Sequence, residues 1–289
     1  TAARLMKLVI LSGRSGSGKT TALQALEDLG HYCVDNLPLG LLPTLAEQLQ
    51  REEHHLERIA VGIDARNLPH QLQDFPNILE QVKALNMACE VVFLDADDDT
   101  LLKRFSATRR KHPLSNDNLS LVESIDREAE MLGSIRVLAD LVIDTSHLDV
   151  HTLRDMIRDR VVKRREKLSL LIESFAYKRG VPHDADLVFD VRVLPNPYWH
   201  LELRPLTGRD DAVRHYLDQQ TESAQMLDDI SRFLNDWLPR YEKNDRTYMT
   251  VAIGCTGGQH RSVYMVEALV QRLSNAGMEV QCRHLELNR

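Results

Sequence analysis

The chain has 289 residues, of which 43% are hydrophobic and 27% charged, a balance typical of a globular protein with about two domains. No apolar run approaches the roughly 20 residues that a membrane span needs. We expect no signal peptide, because the apolar stretch at 8–11 is too short. Residues 1–150 contain 15 Lys and Arg against 23 Asp and Glu, and residues 151–289 contain 21 against 20. Neither half has the excess of basic residues that marks a dedicated nucleic-acid-binding domain, although these counts do not exclude a local basic patch.

The four cysteines, Cys33, Cys89, Cys255 and Cys282, form no C-x-x-C pair. A chain of this size does not need disulfides, so we expect the reducing environment of the cytoplasm. A zinc site is not expected either, because no His and Cys cluster has the usual ligand spacing.

The first half of the chain alternates short apolar runs with helical patterns. The predicted strands are 8–11, 32–34, 59–63, 90–94 and 141–143. The predicted helices between them are 20–29, 41–53, 73–86 and 100–110. Strands that alternate with helices predict βαβ units and a parallel sheet that is covered on both faces.

Residues 152–173 carry a pattern that predicts one long charged helix. We therefore predict two domains, 1–152 and 153–289. The second has further predicted strands at 187–192, 250–253 and 279–284, with helices at 211–237 and 263–276. It is expected to be a smaller α/β domain.

A phosphate loop follows the first predicted strand and precedes a helical pattern. It matches G-x-x-x-x-G-K-T, with Gly13, Arg14, Ser15, Gly16, Ser17, Gly18, Lys19 and Thr20. The glycines let backbone N–H groups point inward, and the helix that follows places its positive end at the phosphates. Lys19 would neutralise the β- and γ-phosphates, and the Thr20 hydroxyl would bind Mg²⁺. The alternative is a Gly/Ser turn that happens to contain a lysine.

An acidic strand end is expected to hold the metal ion. The apolar run 91–94 ends in Asp95, which fits a Walker B carboxylate. The acidic residues 97–99 are expected to begin the next helix, because carboxylates suit a helix N-terminus. Three arginines on or after that helix would form either a lid over the phosphates or a solvated helix face: Arg104, Arg109 and Arg110.

Polar residues follow two other predicted strands. Asp35 and Asn36 come after one, and residues 64–67 after the next. Ligands of open α/β sheets bind beyond the carboxyl ends of strands, so these residues are placed to meet a base, a ribose or a second substrate. The alternative is that they only form turns.

A second Gly-rich loop, residues 254–262, lies between the predicted strand 250–253 and a helix. Its backbone amides, together with His260 and Arg261, predict a second phosphate-binding site; the alternative is a structural turn with a buried histidine. The spacing from Cys255 to Arg261, followed by Ser262, also fits the C-x₅-R-S pattern of tyrosine phosphatases, with Cys255 as the nucleophile. No compelling aspartate stands out as the general acid, which makes phosphatase activity the lesser alternative.

Ordered motifs along nearly the whole chain resemble those of the RapZ/YvcJ family of bacterial nucleotide-binding proteins, known as RNase adapter proteins. In the first half they are the phosphate loop, Tyr32-Cys33-Val34-Asp35-Asn36-Leu37-Pro38, Leu94-Asp95-Ala96-Asp97 and Asp144-Thr145-Ser146. In the second half they are Phe189-Asp190-Val191-Arg192, Leu194-Pro195-Asn196-Pro197 and Gly254-Cys255-Thr256-Gly257-Gly258.

This resemblance implies a kinase-like P-loop domain that binds and slowly hydrolyses ATP and GTP. It assigns one nucleotide segment to 13–20 and a second to Asp64, Ala65, Arg66 and Asn67. It also implies a C-terminal domain that senses glucosamine-6-phosphate. In family members of the RNase-adapter type, that domain binds a small regulatory RNA and presents it to an endoribonuclease, which controls glucosamine-6-phosphate synthase. Such members form homo-oligomers.

The polar groups expected around a sugar phosphate come from the second loop and from two segments before it. They are Lys178, Asp190, Arg192, Cys255, Thr256, Gly257, Gly258, His260 and Arg261. Asp190 could accept hydrogen bonds from an amine or a hydroxyl. Alternatively, Asp190 and Arg192 form an internal ion pair.

The C-terminus departs from the RNA-binding members, which end in a Lys/Arg-rich tail. Residues 283–289 contain two arginines and one glutamate. Phosphate contacts supply most RNA affinity, so this tail puts the RNA-adapter role in doubt. A basic run could compensate or could form a solvated helix face: Arg158, Arg160, Lys163, Arg164, Arg165 and Lys167.

Three function classes therefore stay open. The leading one is a regulatory nucleotide-binding protein with two anion loops. The second is a small-molecule kinase, in which the phosphate loop, Asp35 and the arginines serve phosphoryl transfer. The third is an RNA-binding scaffold.

Overall fold

A computed structural model of the chain describes residues 6–51, 57–67, 69–85, 87–108, 110–115, 119–162, 168–244 and 246–287. The chain divides into two compact units, 1–164 and 165–289, called unit 1 and unit 2 below. In the described part of the chain, no helix is both long enough and apolar enough to cross a membrane.

Unit 1 contains a parallel sheet. Its strands are β1 (Lys7–Gly13), β2 (Tyr32–Val34), β3 (Arg58–Gly62), β4 (Ala88–Asp95) and β5 (Leu141–Asp144). They lie in the order β2-β3-β1-β4-β5, and every pairing is parallel. The carboxyl ends of all these strands therefore meet at one edge of the sheet.

The helices of unit 1 connect these strands. They are α1 (Lys19–Asp28), α2 (Leu42–Arg51), α3 (Pro69–Gln73), α4 (Phe75–Ala84), α5 (Asp98–Thr108), α6 (Leu121–Met131), α7 (Gly133–Val137) and α8 (Val150–Met156). The last continues as a π-helix over Ile157–Val162.

The centre of this sheet is explained by its apolar runs. Residues 8–11 of β1 are at most 1% exposed, as are residues 91–94 of β4. Runs without alternating polar residues suit strands that are covered on both faces. Because β1 lies in the middle, the loop after Gly13 is placed between the ends of β3 and β4.

The predicted helix over 152–173 is wrong at residues 169–173, and residues 163–167 lie outside the described part of the chain. Residues 169–176 form a strand, β6 (Ser169–Ala176). The charge of Glu173 favoured a helix in the sequence. In the structure Glu173 is buried, and its carboxylate lies 3.6 Å from Arg283, its partner in the next strand.

The boundary between the two units falls after residue 164 rather than after the predicted 152. Helix α8 and its π-helical end pack into unit 1, where Leu153, Ile157 and Val161 are buried. The Lys7 ammonium also donates to the Val161 carbonyl oxygen at 2.7 Å. These contacts tie residues 150–162 to the first unit.

Unit 2 contains a second parallel sheet. Besides β6 its strands are β7 (Leu187–Asp190), β8 (Tyr248–Cys255) and β9 (Val280–His284), in the order β7-β8-β6-β9. Its helices are α9 (Asp211–Asp218), α10 (Thr221–Lys243) and α11 (Arg261–Asn275). The predicted helix 211–237 is thus two helices, which are separated at residues 219–220.

These observations confirm the predicted fold class. The chain is α/β: unit 1 has a parallel sheet whose central strand runs into the P-loop, and the smaller unit 2 has its own parallel sheet. In both sheets an inner strand runs directly into a Gly-rich loop and then into a helix.

Candidate functional site

The phosphate loop is held in shape by its glycines and by β4. A Cβ on Gly13 would lie 2.2 Å from the Leu94 carbonyl oxygen, so only glycine fits against β4 there. The Arg14 N–H donates to that same oxygen at 3.2 Å. Gly18, at φ +101°, adopts the left-handed conformation at the start of α1, which turns the chain into the helix.

Lys19 is the cation of this loop. Its ammonium donates to the Gly13 carbonyl oxygen at 2.6 Å, so the side chain folds back over the loop. Burial lowers the pKa of Lys19 below its ordinary 10.5, while the charges of Glu128 and Asp64 act in the opposite direction. A desolvated cation in this position interacts strongly with phosphate, because water screens it little.

A cavity of about 820 Å³ opens in front of the loop. This volume is in the range of pockets that hold nucleotide-sized ligands. Residues 15–20 form one wall, and Asp35, Asp64 and Arg66 form another at the ends of β2 and β3. The structure thus brings the loop and the predicted strand-end aspartates together.

A third wall of the cavity carries basic side chains, including Arg104, Arg110 and Lys111. Arg104 reaches from α5 to the loop, where it donates to the Gly16 carbonyl oxygen at 2.9 Å. It also donates to the Thr145 carbonyl oxygen at 2.6 Å. The arginine lid is therefore the better interpretation for Arg104 and Arg110, whereas Arg109 lies outside the described residues.

The structure places Asp95, the predicted metal ligand, away from the cavity wall. Asp95 is buried. Its carboxylate accepts a hydrogen bond from Arg136 Nε at 3.2 Å and lies 3.6 Å from Arg14. It is thus held by two arginines beneath the loop, a contact that the sequence pattern of a Walker B strand does not reveal.

Other oxygen donors do line the cavity. The Thr20 hydroxyl and the carboxylates of Asp35 and Asp64 are on its wall. Mg²⁺ prefers such ligands, so these residues fit the ion that a P-loop implies. Burial acts to raise the pKa of Asp64, but hydrogen bonds from Arg66 and the charge of Lys19 lower it overall.

The segment 64–67 divides into two roles. Arg66 is on the cavity wall and binds Asp64, with Nη2 2.5 Å from the carboxylate. Ala65 is buried and Asn67 is turned inward, and neither is on the wall. The Asn67 carboxamide oxygen accepts the Leu39 N–H at 2.6 Å, which fixes the turn after β2.

Glu128 is a loop contact that sequence reasoning missed. This fully buried carboxylate of α6 accepts hydrogen bonds from the Ser15 N–H and the Ser15 hydroxyl, both at 2.7 Å. His112 Nε2 lies 3.0 Å from Oε2, the same carboxylate oxygen that accepts the Ser15 N–H. Burial acts to raise the pKa of Glu128, yet hydrogen bonds from His112 and Ser15 and the charge of Lys19 lower it overall. A Ser–x–x–Glu capping box at Ser120 and Glu123 marks the start of α6, but nothing in the sequence marks the contact itself.

The second Gly-rich loop is organised around a buried thiol. The Cys255 Sγ accepts the Gly258 N–H at 3.2 Å and lies 3.2 Å from the Ser262 hydroxyl. Gly258 has φ +70°, and a Cβ there would lie 3.0 Å from the Ala176 backbone nitrogen. Gly257 has open space around it. The loop therefore wraps closely around the sulfur.

Arg261 begins α11, and its buried guanidinium lies between this loop and the segment after β7. Nη1 donates to the carbonyl oxygens of Arg192 at 2.6 Å and Leu194 at 2.9 Å. Nη2 lies 3.5 Å from the Thr256 hydroxyl. The structure thus fixes Arg261 against the segment after β7, with one end beside the loop.

The His260 side chain, which was expected to face an anion, is turned toward the backbone of residues 203–206. Its Nε2 lies 3.0 Å from the Leu203 carbonyl oxygen, in a buried position. Burial lowers the pKa of His260 below its ordinary 6.5, which favours the neutral ring. His260 therefore anchors the loop to residues 203–206, as the alternative of a buried histidine held.

Asp190 and Arg192 form the internal ion pair named as an alternative. Arg192 Nη2 lies 2.6 Å from the Asp190 carboxylate, and the guanidinium stacks 3.9 Å from the Tyr177 ring centroid. Both side chains are exposed, so a ligand can still reach them. Lys178 is exposed on the turn after β6, and its N–H is 3.4 Å from the Thr256 carbonyl oxygen.

Family models match both units. The model of the RapZ-like N-terminal domain matches residues 6–165, and that of the RapZ C-terminal domain matches residues 168–288. The chain belongs to the RapZ family.

Relatives of this RapZ-family chain match over almost its whole length. A protein of Alcanivorax borkumensis, named a nucleotide-binding protein, is 60% identical and covers 98% of this chain and 100% of its own. A nucleotide-binding protein of Pseudomonas fluorescens is 55% identical with the same coverage. Among solved structures, shikimate kinase from Acinetobacter baumannii is 16% identical, with a TM-score of 0.36, and covers 54% of this chain and 91% of its own.

Of the basic run considered for RNA contact, the structure describes only Arg158 and Arg160, and both are held within the chain. Arg160 is 1% exposed, and Arg158 is bound to Asp155 at 2.7 Å and to Asp159 at 3.1 Å. Residues 163–167 and 288–289 lie outside the described part. In the tail, Arg283 lies against Glu173, as described above.

Proposed function

We propose that this chain is a regulatory protein with one ligand site in each unit. Unit 1 binds ATP or GTP with Mg²⁺ and hydrolyses it slowly. Unit 2 senses glucosamine-6-phosphate at the loop 254–262. Through that loop the nutrient signal would reach an RNA-decay step that controls amino-sugar synthesis.

The observation that carries the nucleotide half is the cavity wall itself. Loop amides, Lys19 and Arg104 supply positive charge at one end. Thr20, Asp35 and Asp64 supply oxygen ligands for the metal beside it. This combination matches the charge pattern of a Mg²⁺–triphosphate, in which the ion bridges phosphate oxygens. The relatives' name, nucleotide-binding protein, agrees with it.

Equilibrium dialysis with labelled ATP and GTP tests this half. Lys19→Ala should bind both nucleotides about 100-fold more weakly, whereas Lys83→Ala on the exposed face of α4 should bind both like the wild type. Equal binding by wild type and Lys19→Ala would refute the site. Quantifying free phosphate over hours then measures the slow hydrolysis.

Support for the sugar-phosphate half comes from the amides and Arg261 at the start of α11. A helix N-terminus with converging N–H groups is a common phosphate site. Asp190 lies at the same strand ends as the loop, since it pairs with Gly254 in register, and its carboxylate suits an ammonium group. Phosphate on the loop and the amine at Asp190 together define an amino-sugar phosphate.

Thermal unfolding with three matched ligands tests this half. Glucosamine-6-phosphate should raise the melting temperature more than glucose-6-phosphate, and free glucosamine should have no effect. Asp190→Asn should remove the difference between the two phosphates. Equal shifts from both phosphates in the wild type would rule out amine recognition. Release of phosphate from either sugar would favour the phosphatase alternative.

The RNA and assembly steps are proposed from the family resemblance. A gel shift with structured RNA at increasing salt would measure RNA binding, because contacts to RNA phosphates weaken steeply with salt. We also expect a homo-oligomer, since Val193, Trp199 and Leu201 are more than 70% exposed. Light scattering of the wild type should give more than one copy per particle, and a monomer would refute the assembly.

A small-molecule kinase is the second candidate, favoured by Asp35, which lines the same cavity as Lys19. A carboxylate there could accept the proton of a substrate hydroxyl. The product separates the two functions. A phosphorylated metabolite supports the kinase, and free phosphate supports the regulatory NTPase.

A further inference from the structure

Three side chains with metal-binding atoms converge on unit 2, away from the loop 254–262. They are Glu267 of α11 and Cys282 and His284 of β9, and their ligand atoms lie within 4.8 Å of one another. The Cys282 Sγ is 3.5 Å from His284 Nε2, and Glu267 Oε1 is 2.9 Å from that same nitrogen.

The fold explains why these residues meet. Side chains two residues apart on a strand point to the same face, so Cys282 and His284 face the same side of β9. Glu267, on α11, contacts that same imidazole. No zinc-ligand spacing is visible in the sequence, because the third ligand, Glu267, comes from a helix rather than from a neighbouring cysteine or histidine.

The histidine is already oriented as a metal ligand would be. Its Nδ1 lies 2.8 Å from the Ser174 hydroxyl of β6, and the ring is 3% exposed. Metal-bound histidines usually use the second ring nitrogen for a hydrogen bond that fixes the ring. This contact leaves Nε2 directed at the thiol and the carboxylate.

A cationic group already lies against the carboxylate. Arg209 Nε donates to Glu267 Oε1 at 2.6 Å, and its side chain is 55% exposed. The position therefore suits positive charge, and an exposed arginine can move away from an incoming ion. A carboxylate has two oxygens, so it can also hold a metal through one and Arg209 through the other.

We propose that Glu267, Cys282 and His284 bind a zinc-class divalent cation. Thiolate, imidazole and carboxylate are the ligands that Zn²⁺ uses, and three of them leave a fourth position for water or an exogenous ligand. On binding, the Cys282 thiol loses its proton to solvent. The ion would join α11, which begins at Arg261, to β9 at the edge of the sheet.

Cobalt titration of the full chain tests the site, because Co²⁺ bound to a thiolate gives a charge-transfer band in the near ultraviolet. The wild type should show this band, and one equivalent of Zn²⁺ should remove it. Cys282→Ser should abolish the band, while Cys33→Ser should retain it. Ser174→Ala should weaken the affinity about 10- to 100-fold through the histidine's hydrogen bond.

Two further measurements keep the proposal testable if a variant folds poorly. Arg209→Ala should bind Co²⁺ at least as tightly as the wild type, because a competing cation is gone. Zn²⁺ should raise the melting temperature of the wild type but not of Cys282→Ser. A charge-transfer band of equal strength in Cys282→Ser, or no band in the wild type, would overturn the site.

Discussion

The two Gly-rich loops share one architecture but differ in their central side chain. Each follows an inner strand of a parallel sheet and opens a helix, α1 in unit 1 and α11 in unit 2. In the first loop the central group is the Lys19 ammonium, on the wall of a large cavity. In the second it is the Cys255 thiol, which accepts the Gly258 N–H.

The two loops also differ in the contacts that hold their cationic side chain. Among the described residues, the Lys19 ammonium donates a hydrogen bond only within its own loop, and acidic side chains line the same cavity. Arg261 is fixed by two backbone carbonyl groups beyond β7. A strand–loop–helix unit alone therefore does not determine its ligand. The first loop suits a long polyanion with a metal ion, and the second suits one small anion.

Removal of the cation of the first loop should have the largest effect. Lys19→Ala should weaken ATP binding about 100-fold, because a charge-assisted contact in a desolvated site contributes roughly 1.5–3 kcal/mol. Glucosamine-6-phosphate binding should not change. Calorimetric titration of each ligand checks both statements, with Lys83→Ala as the control; a loss of both ligands would show that the loops are not separate sites.

The next largest effect is expected from the backbone conformation of the second loop, at Gly258 but not at the adjacent Gly257. Gly258→Ala forces a left-handed residue to carry a side chain, at a cost of about 1–3 kcal/mol, so glucosamine-6-phosphate binding should fall about tenfold or more. Gly257→Ala has open space and should bind normally. The same titration compares them. Equal affinities would mean that the loop's backbone shape does not form the site.

The buried glutamate of unit 1 should give a smaller, pH-dependent effect. The folded pKa of Glu128 lies below its ordinary 4.5, so its ionised form stabilises unit 1 at neutral pH, and this stabilisation is lost as the pH falls through the folded pKa. Glu128→Gln should lower the protection of unit 1 by about 1–3 kcal/mol at pH 7. The difference should shrink below pH 4.5.

Hydrogen exchange of peptides from α6 and the phosphate loop measures this. Both tryptophans, Trp199 and Trp237, lie in unit 2, so their fluorescence provides an internal reference. A difference that persists unchanged at pH 3 would contradict the assignment to the Glu128 charge.

The smallest effect on ligand binding is expected at Asp95. Because Asp95 lies beneath the loop and not on the cavity wall, Asp95→Asn should change the Mg²⁺-dependent ATP affinity less than Asp64→Asn does. Titrations at several Mg²⁺ concentrations compare the two. A greater loss at Asp95 would restore the Walker B interpretation.

Apolar runs and glycine spacing predicted most of this fold. The runs at 8–11 and 90–94 and the phosphate loop identified the centre of the first sheet. The pattern failed at β6, because Glu173 is a buried charge whose partner, Arg283, is far away in the sequence. The sequence pattern also missed Glu128, because its partner Ser15 is far away in the sequence. Contacts between distant residues leave no periodic signal, so the partners of Asp95 and His260 were not predicted either.

The most direct measurement titrates the wild type, Lys19→Ala and Gly258→Ala with ATP and, separately, with glucosamine-6-phosphate. Two sites of different chemistry predict that Lys19→Ala loses only ATP and that Gly258→Ala loses only the sugar phosphate. If ATP and the sugar phosphate compete in the wild type, or if one variant loses both, a single site would replace the two.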